Sequence, residues 1–314
     1  MKKLPFFLLI LLLIIICVHS QVTPPTPAPA PLPPSPPLPS MMRYVLQWPP
    51  TLCMTLENGR CKEPIPENEF LLHGLWPADE NGNVMGGTPK PPDQKWNATL
   101  VKPLEVYLVP FWRSLKQNFN NMGLYKHEFK RHGIWAQTGV EEYFKTSIRI
   151  NNIFFVTRNL YNYLETSNII ASDTSDYTEN DIVNAIQKVF ASPTPLSPSL
   201  APPHDPFLSP APAPSHDPFN IYLSCTLIDT KLYLNEVTFC TYPNGTKFIS
   251  CPHQIPDPLR RCDGANIMLP LARAQPSIPP PPSPPSPNKF QEEECGTYPI
   301  FERSWAKYIF NGWI

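Results

Sequence analysis

The chain has 314 residues, long enough for one large domain or two small ones. Its 25 basic and 26 acidic residues nearly cancel, which excludes a broad basic face and leaves only a local cluster of cations as a means of binding nucleic acid. Proline is the unusual component at 45 residues, and most of it is concentrated in separate blocks between stretches of ordinary globular composition.

Residues 1–20 have the pattern of a secretory signal peptide. Lys2-Lys3 supplies the positive start, Phe6–Cys17 the apolar centre and Val18–Ser20 the small residues of a cleavage site. A membrane anchor is the alternative interpretation, but an apolar run of roughly 15 residues is shorter than the ~20 that span a bilayer. We therefore predict a secreted, extracellular protein with no membrane segment after the signal is removed.

Cysteines and sequons fit an extracellular protein. Of the eight cysteines, Cys17 leaves with the signal peptide and seven remain. Because the secretory route is oxidising, disulfides are expected, and the odd number leaves one cysteine over. Two glycosylation sequons, Asn97-Ala-Thr and Asn244-Gly-Thr, are expected on surface loops.

Proline-rich segments divide the chain. Residues 21–40 form an extended linker, residues 193–218 interrupt the folded region as an insertion, and residues 272–314 form a proline-rich extension and tail. The proline-rich sequence lacks the apolar side chains that offset the entropy of ordering, so we predict that it is disordered. The folded domain is then residues 41–271.

Two strands and then two helices are predicted in the first part of this domain. Met42–Trp48 predicts a strand, and Phe70–Trp76 predicts a buried strand whose apolar residues on both faces are typical of a central position in a sheet. Leu124–His132 and residues 151–164 are helical in composition.

The pattern changes to strands after the proline-rich insertion. Before it, Thr178 and Asp181 resemble a capping box that starts one more helix. A turn at Pro243–Thr246 separates the last two of three predicted strands. These strands are Asn220–Leu227, Leu232–Cys240 and Lys247–Cys251. Helices in one half and strands in the other predict the α+β class.

Ionisable side chains concentrate on one predicted helix. At about 100° per residue, His127, Glu128, Arg131 and His132 fall within an arc of roughly 140°. The plain alternative is a solvated charged face, just as His73 in the buried strand is compatible with an ordinary core histidine. A zinc site of the His-Glu-x-x-His type needs a histidine where Arg131 stands. We therefore predict no metal and no other cofactor.

Two segments place histidines where a stable core does not favour them, His73-Gly-Leu-Trp-Pro77 and His127-Glu-Phe-Lys-Arg-His-Gly133. Together they resemble the two active-site segments of the ribonuclease T2 family. Gln47-Trp-Pro-Pro-Thr-Leu-Cys53 is similar to that family's opening strand. The family's C-terminal cysteine pattern is matched by Cys225, Cys240, Cys251 and Cys262.

The resemblance covers residues 42–271 in the family's order and is strongest to the plant S-RNase and S-like branch. It implies a ribonuclease T2-like α+β fold, an antiparallel sheet with packed helices, which is interrupted here by disordered proline-rich segments. It also implies that the partner is single-stranded RNA.

The implied chemistry uses the 2′-hydroxyl that distinguishes RNA from DNA. By the resemblance, His132 is the base that removes its proton and His73 is the acid that protonates the departing 5′-oxygen. Histidine suits both roles because its pKa lies near the working pH. His127 is implied to anchor phosphate, while Glu128 and Arg131 stabilise the transition state. The product is a 2′,3′-cyclic phosphate, formed without metal.

Trp76 and Gln47 are the remaining predicted substrate-binding residues. Gln47 lies in the opening segment that resembles the family's, and Trp76 offers a flat apolar surface on which a base can stack. Core packing is an equal alternative for Trp76. Phe129 replaces the family's tryptophan and is expected to pack inward.

Two departures from the family pattern concern the active segments. Arg131 stands where the family has lysine, and Trp135 stands where the family has a cysteine that is bridged to the first active segment. Both cysteines of that disulfide are absent here, so its loss leaves no unpaired cysteine. The pairs that the resemblance then implies are Cys53–Cys61, Cys225–Cys262 and Cys240–Cys251, which leave Cys295 over.

The sequence thus predicts a secreted plant endoribonuclease of the T2 type. Alternative hypotheses are a weakly active family member used for storage or defence, and a self-incompatibility recognition protein. A structural wall protein explains the prolines but not residues 42–271. The Ser-Pro and Ala-Pro runs resemble glycosylated stretches of plant cell-wall proteins, which makes wall association, with the vacuole as another destination, a further hypothesis.

Overall fold

The computed structural model describes residues 35–56, 61–86, 91, 94–154, 156–191, 220–252, 262 and 266–273. The predicted signal peptide, the proline-rich insertion and the C-terminal tail with Cys295 lie outside the described residues. The predictions about those segments therefore stay predictions.

A seven-stranded sheet forms the centre of the described part. Its strands are β1 Met41–Gln47, β2 Leu71–Ala78, β3 Asp176–Tyr177, β4 Tyr222–Ile228, β5 Lys231–Thr241, β6 Phe248–Ile249 and β7 Ile267–Met268. They run in the order β2-β1-β5-β7-β3, and β4 and β6 also pair with β5. The expected antiparallel sheet is confirmed, and β5 with β7 is its one parallel pair among the described strands.

Helices supply the second layer and confirm the α+β class. They are α1 Pro49–Thr55, α2 Ala98–Val101, α3 Glu105–Leu108, α4 Asn121–Arg131, α5 Val140–Phe154, α6 Val156–Thr166 and α7 Glu179–Ala191. The helix predicted over 151–164 is confirmed at every described residue of that stretch, which includes the end of α5 and the start of α6. The capping box is confirmed, since Asp181 N donates to Thr178 Oγ1 and Thr178 N to Asp181 Oδ2. No helix in the described ranges is long and apolar enough to cross a bilayer.

The two faces of the sheet differ in character. On β1, Tyr44 and Leu46 are fully buried and pack in the main core with residues of the helices. Arg43 and Gln47 alternate with them and face the other way, as successive strand residues do. Arg43 lies opposite Trp76 of β2, and Gln47 lies opposite Glu236 of β5. Polar and aromatic side chains therefore share the face that the helical core does not cover.

β2 lies at the end of this sheet, so the predicted central position is wrong. Its outer edge is covered by backbone instead of by another strand. Leu72 N donates to Phe111 O at 2.7 Å, and Met85 N donates to Pro77 O at 2.8 Å. Both faces are buried, which explains the apolar sequence without a second neighbouring strand.

Three disulfides join the described cysteines, and all three pairs are those that the resemblance implied. They are Cys53–Cys61, Cys225–Cys262 and Cys240–Cys251. The last two attach the segments that follow β5 to β4 and β5 themselves. Because β5 pairs with β1, these bridges brace the part of the sheet that carries the candidate site.

Candidate active site

His73 occupies a bulge in β2. Gly74 lies opposite Val45 of β1 and Leu72 lies opposite Leu46, so His73 has no counterpart on the neighbouring strand. A bulge re-aims the side chain of the extra residue, and bulges are common beside active sites. Trp112 holds this one in place by donating from Nε1 to His73 O at 3.0 Å. The side chain of His73 keeps 26% of its surface exposed.

Gly74 follows the bulged histidine because no side chain fits there. A Cβ on Gly74 would overlap Glu128 Oε2 and Trp76 Nε1. Trp76 Nε1 donates to the same Glu128 oxygen at 3.2 Å. The spacing His-Gly-Leu-Trp therefore lets the second active segment approach β2 closely.

The second segment is carried by α4. Asn120 caps this helix by accepting from Gly123 N at 2.7 Å. Tyr125 and Phe129 are fully buried and turn one side of α4 into the core, as expected for Phe129. Tyr125 Oη donates to Trp112 O at 2.8 Å. Because Trp112 also holds His73, the two active segments are tied through one tryptophan.

His132 lies at the end of α4 and not inside the helix. It is the C-cap residue, with φ −119° and ψ −50°. Its ring stacks on Trp76 with centroids 4.9 Å apart and an angle of 27°. Its Nδ1 is buried and has no hydrogen-bond partner among the protein atoms. Burial, together with the charges of His73, Arg131, His127 and Arg43, lowers the pKa of His132 to about 3.

These features keep His132 neutral at working pH. An imidazolium donates from both ring nitrogens, and a protonated His132 would bury one donor without an acceptor. A neutral imidazole instead has a free lone pair on one nitrogen. His132 is therefore suited to take a proton.

His73 has the opposite environment. Its Nδ1 lies 2.6 Å from Glu236 Oε1, and Glu236 is only 5% exposed. A buried carboxylate beside an imidazole favours the charged, protonated ring. The His73 and Trp76 rings are nearly perpendicular, with centroids 5.0 Å apart. Trp76 thus lies between two histidines whose surroundings favour different protonation states.

Glu128 is the buried member of α4's polar face. It is 2% exposed, and desolvation raises its pKa against the lowering effect of the His73 charge and the Trp76 hydrogen bond. His127 and Arg131 are exposed. Desolvation, followed by the charges of His73, Arg131 and Lys116, lowers the pKa of His127. The predicted face thus places one buried carboxylate beneath two accessible side chains.

The other predicted residues fall in two places. Gln47 is 8% exposed and lies in register beside Glu236, next to the histidine site. Trp76 is 8% exposed and contacts both histidines, so it is more than core filling. Asn97 and Asn244 are exposed and away from these contacts, in turns where each side chain accepts from the backbone two residues on.

Sequence reasoning missed two residues at this site. Glu236 could have been found as the acidic residue of the largely buried strand β5, since an acidic residue is rarely buried without a partner. Arg43 lies between aromatic rings, 5.8 Å from the centroid of Trp76 and 5.4 Å from that of Tyr222. Its charge is among those that lower the pKa of His132. No motif marks it.

A metal site is the alternative role for the histidine and acidic side chains of this site. Across the part of the chain that the structure describes, no three histidine, cysteine or acidic side chains are grouped so that they could hold a metal ion. The histidines of α4 differ in setting, because His127 is exposed and His132 is packed on Trp76.

A family model described as the ribonuclease T2 family matches residues 39–197. Ribonuclease DdI of Dictyostelium discoideum is 31% identical over 151 residues, which cover 47% of this chain and 62% of that protein. Ribonuclease S-F11 of Nicotiana alata is 29% identical over 154 residues, which cover 47% of this chain and 71% of that protein. The chain thus aligns with less than two thirds of the Dictyostelium protein.

Solved structures show the same fold. A crystal structure of RNase NT in complex with 5′-AMP superposes with a TM-score of 0.55 at 22% identity, covering 74% of this chain and 98% of that one. Ribonuclease MC1 from bitter gourd seeds gives 0.53 at 20% identity, covering 73% and 98%. At such identities the likeness concerns the fold.

Proposed function

The chain belongs to the ribonuclease T2 family, and from this premise we propose that it is a secreted endoribonuclease that cleaves single-stranded RNA through 2′,3′-cyclic phosphates. The observation that carries the proposal is the pair of histidines on either side of Trp76. One has a buried, unpartnered nitrogen and a lowered pKa, and the other has a buried carboxylate on its ring.

The proposed reaction follows from those protonation states. His132, neutral, takes the proton of the 2′-hydroxyl, and the 2′-oxygen attacks phosphorus. The bond from phosphorus to the 5′-oxygen breaks, and His73 gives that oxygen a proton. The products are a 2′,3′-cyclic phosphate and a free 5′-hydroxyl, and water can later open the ring with the two roles reversed. No step uses a metal ion.

Charge that develops on the phosphoryl oxygens needs fixed partners. His127 and Arg131 are exposed on α4 beside the histidine pair and are proposed to hold the phosphate. Glu128 lies beneath them, where burial raises the pKa of its carboxyl and Oε2 accepts a hydrogen bond from Trp76 Nε1. Glu128 and Arg131 are therefore proposed to stabilise the transition state.

The nucleotide itself is proposed to contact Trp76 and Gln47. Base–aromatic stacking contributes ~1–3 kcal/mol per base, and the Trp76 ring contacts both histidines. Secretion and glycans at Asn97 and Asn244 are also proposed, because both asparagines are exposed in turns. A secreted protein of the bare polypeptide mass would contradict the glycan proposal.

The direct test is to incubate the purified protein with single-stranded RNA, with and without EDTA, and to identify the ends. We expect 2′,3′-cyclic phosphate ends, unaffected by EDTA, and a bell-shaped pH profile on the acidic side of neutral. His73→Ala and His132→Ala should each lose cleavage by ~10²-fold or more while keeping the wild-type circular dichroism spectrum. His204→Ala, in the proline-rich insertion, is the matched control and should keep full activity.

Three outcomes would contradict the proposal. They are cleavage that EDTA abolishes, a flat profile from pH 4 to 8, and full activity in either active-site alanine variant. A folded wild-type protein with no cleavage would favour the storage or recognition hypotheses instead.

A further inference from the structure

We propose that Glu236 is a positioning residue for His73, which fixes the ring so that Nε2 faces the departing oxygen and carries the proton that is transferred. The inference rests on the proposed function and deepens it. Nothing in the two active segments points to this residue, because it lies on β5, on the far side of β1 from β2.

The contact is close and sheltered. Glu236 Oε1 lies 2.6 Å from His73 Nδ1, while the side chains of Glu236 and His73 are 6% and 26% exposed. A carboxylate that is buried to this degree is costly unless it is paired. The two side chains therefore stay in contact, and the histidine is the more exposed of the two.

A second bulge brings Glu236 into place. On β5, Glu236 lies opposite Ser224 of β4 and Leu234 lies opposite Cys225, so Asn235 is the extra residue. Trp48 N donates to Asn235 O at 2.8 Å and fixes this irregularity from β1. Two neighbouring strands thus each carry a bulge, one at His73 and one directly before Glu236, and the two side chains meet over β1.

The hydrogen bond selects which nitrogen does chemistry. With Nδ1 donating to Glu236, only Nε2 is left to exchange a proton with substrate, as in other carboxylate–histidine pairs. The ring is also surrounded by groups of α4. Cationic forms of His127 and His132 oppose a charge on His73, whereas the charge of His73 lowers the pKa of the Glu128 carboxyl. Glu236 is the carboxylate in direct contact that counteracts them.

A buried ion pair with no role in catalysis is the competing explanation. It would stabilise the fold, and its loss would lower the unfolding free energy without changing the pH dependence of turnover. The pH dependence of turnover distinguishes the two explanations, because a change in stability alone does not alter it.

The experiment compares Glu236→Gln with the wild type and with Glu142→Gln, whose carboxylate pairs with Arg149 on the outer side of α5. Glutamine keeps the shape and removes the charge. We expect kcat of Glu236→Gln to fall by roughly 10²-fold with little change in KM. The alkaline limb of the kcat profile should move to lower pH by about 1 unit, because His73 then loses its proton more readily. Glu142→Gln should leave both unchanged.

Nitrogen NMR of the His73 ring in the wild-type protein provides a second, independent measurement. As pH is raised, we expect the proton to stay on Nδ1 and to leave Nε2. This measurement stands even where Glu236→Gln fails to fold. An Nε2–H tautomer, or a folded Glu236→Gln variant with a wild-type profile, overturns the inference. An inactive wild type overturns the proposed function instead, while the tautomer still tests the role of Glu236.

Discussion

Replacing Gly74 with alanine tests whether the close approach of β2 and α4 is needed. The added Cβ would meet both Glu128 Oε2 and Trp76 Nε1, so at least one of these groups must move. Moving either breaks their 3.2 Å hydrogen bond and leaves a carboxyl buried without its donor. Because Trp76 also stacks on His132, a shift of the indole displaces the proposed base.

The expected magnitude combines two costs. Overpacking a tight site costs ~1–3 kcal/mol, and a buried acceptor that loses its partner costs ~1–3 kcal/mol. We expect the unfolding free energy to fall by roughly 2–6 kcal/mol, or about 4–24 °C in melting temperature for a domain of this size. Displacement of a reacting group by about 1 Å lowers turnover by ~10²-fold, and we expect a loss of that order in kcat.

The matched control is Gly86→Ala. A Cβ at Gly86 meets nothing within 4 Å, so its unfolding free energy should stay within ~0.5 kcal/mol of the wild type. Denaturant unfolding and RNA cleavage are measured on both variants. The reasoning is refuted if Gly74→Ala matches Gly86→Ala in unfolding midpoint and in kcat.

Two further predictions concern stability. The pKa of His132 is about 3 in the folded protein and near 6.5 in an unfolded chain, so between these values the unfolded chain binds more protons and the unfolding free energy falls as pH is lowered. His132→Phe keeps the planar ring, and its unfolding free energy should change less with pH than that of the wild type between about pH 4 and 7. Denaturant titrations at several pH values measure this, and equal slopes of unfolding free energy against pH in the two proteins would contradict it. Removing Cys225–Cys262, with a separation of 37 residues, should cost about 4 kcal/mol, and removing Cys53–Cys61, with a separation of 8, about 2.5 kcal/mol. Each disulfide is removed by replacing both of its cysteines with alanine, and the urea unfolding midpoints of the two variants show which loss costs more. A larger loss for Cys53–Cys61 than for Cys225–Cys262 would contradict the loop-length argument.

Local patterns in the sequence predicted the pieces of this site. The apolar run of β2 and the capping box of α7 each depend on residues a few positions apart, and both are confirmed. The polar face of α4 is confirmed except at His132, which is the C-cap residue. The disulfide pairs came from the resemblance, because spacing alone allows several pairings.

Long-range contacts were beyond such patterns. The His73–Glu236 pair joins residues 163 positions apart, and it depends on two bulges that no local signal marks. The terminal position of β2 was missed because backbone at Phe111 buries its edge as effectively as another strand does. His132 is the C-cap of α4, and its stacking on Trp76 joins two segments that are far apart in the sequence.

The hydrogen bonds from Tyr125 and from Trp112 have one more consequence. They connect the two active segments without sulfur, in a chain whose family uses a covalent bridge between the same segments. A thiol reductant that opens the three disulfides therefore breaks no bond of this connection. Reduction should therefore lower the melting temperature of the protein before it changes the distance between the rings of His73 and His132.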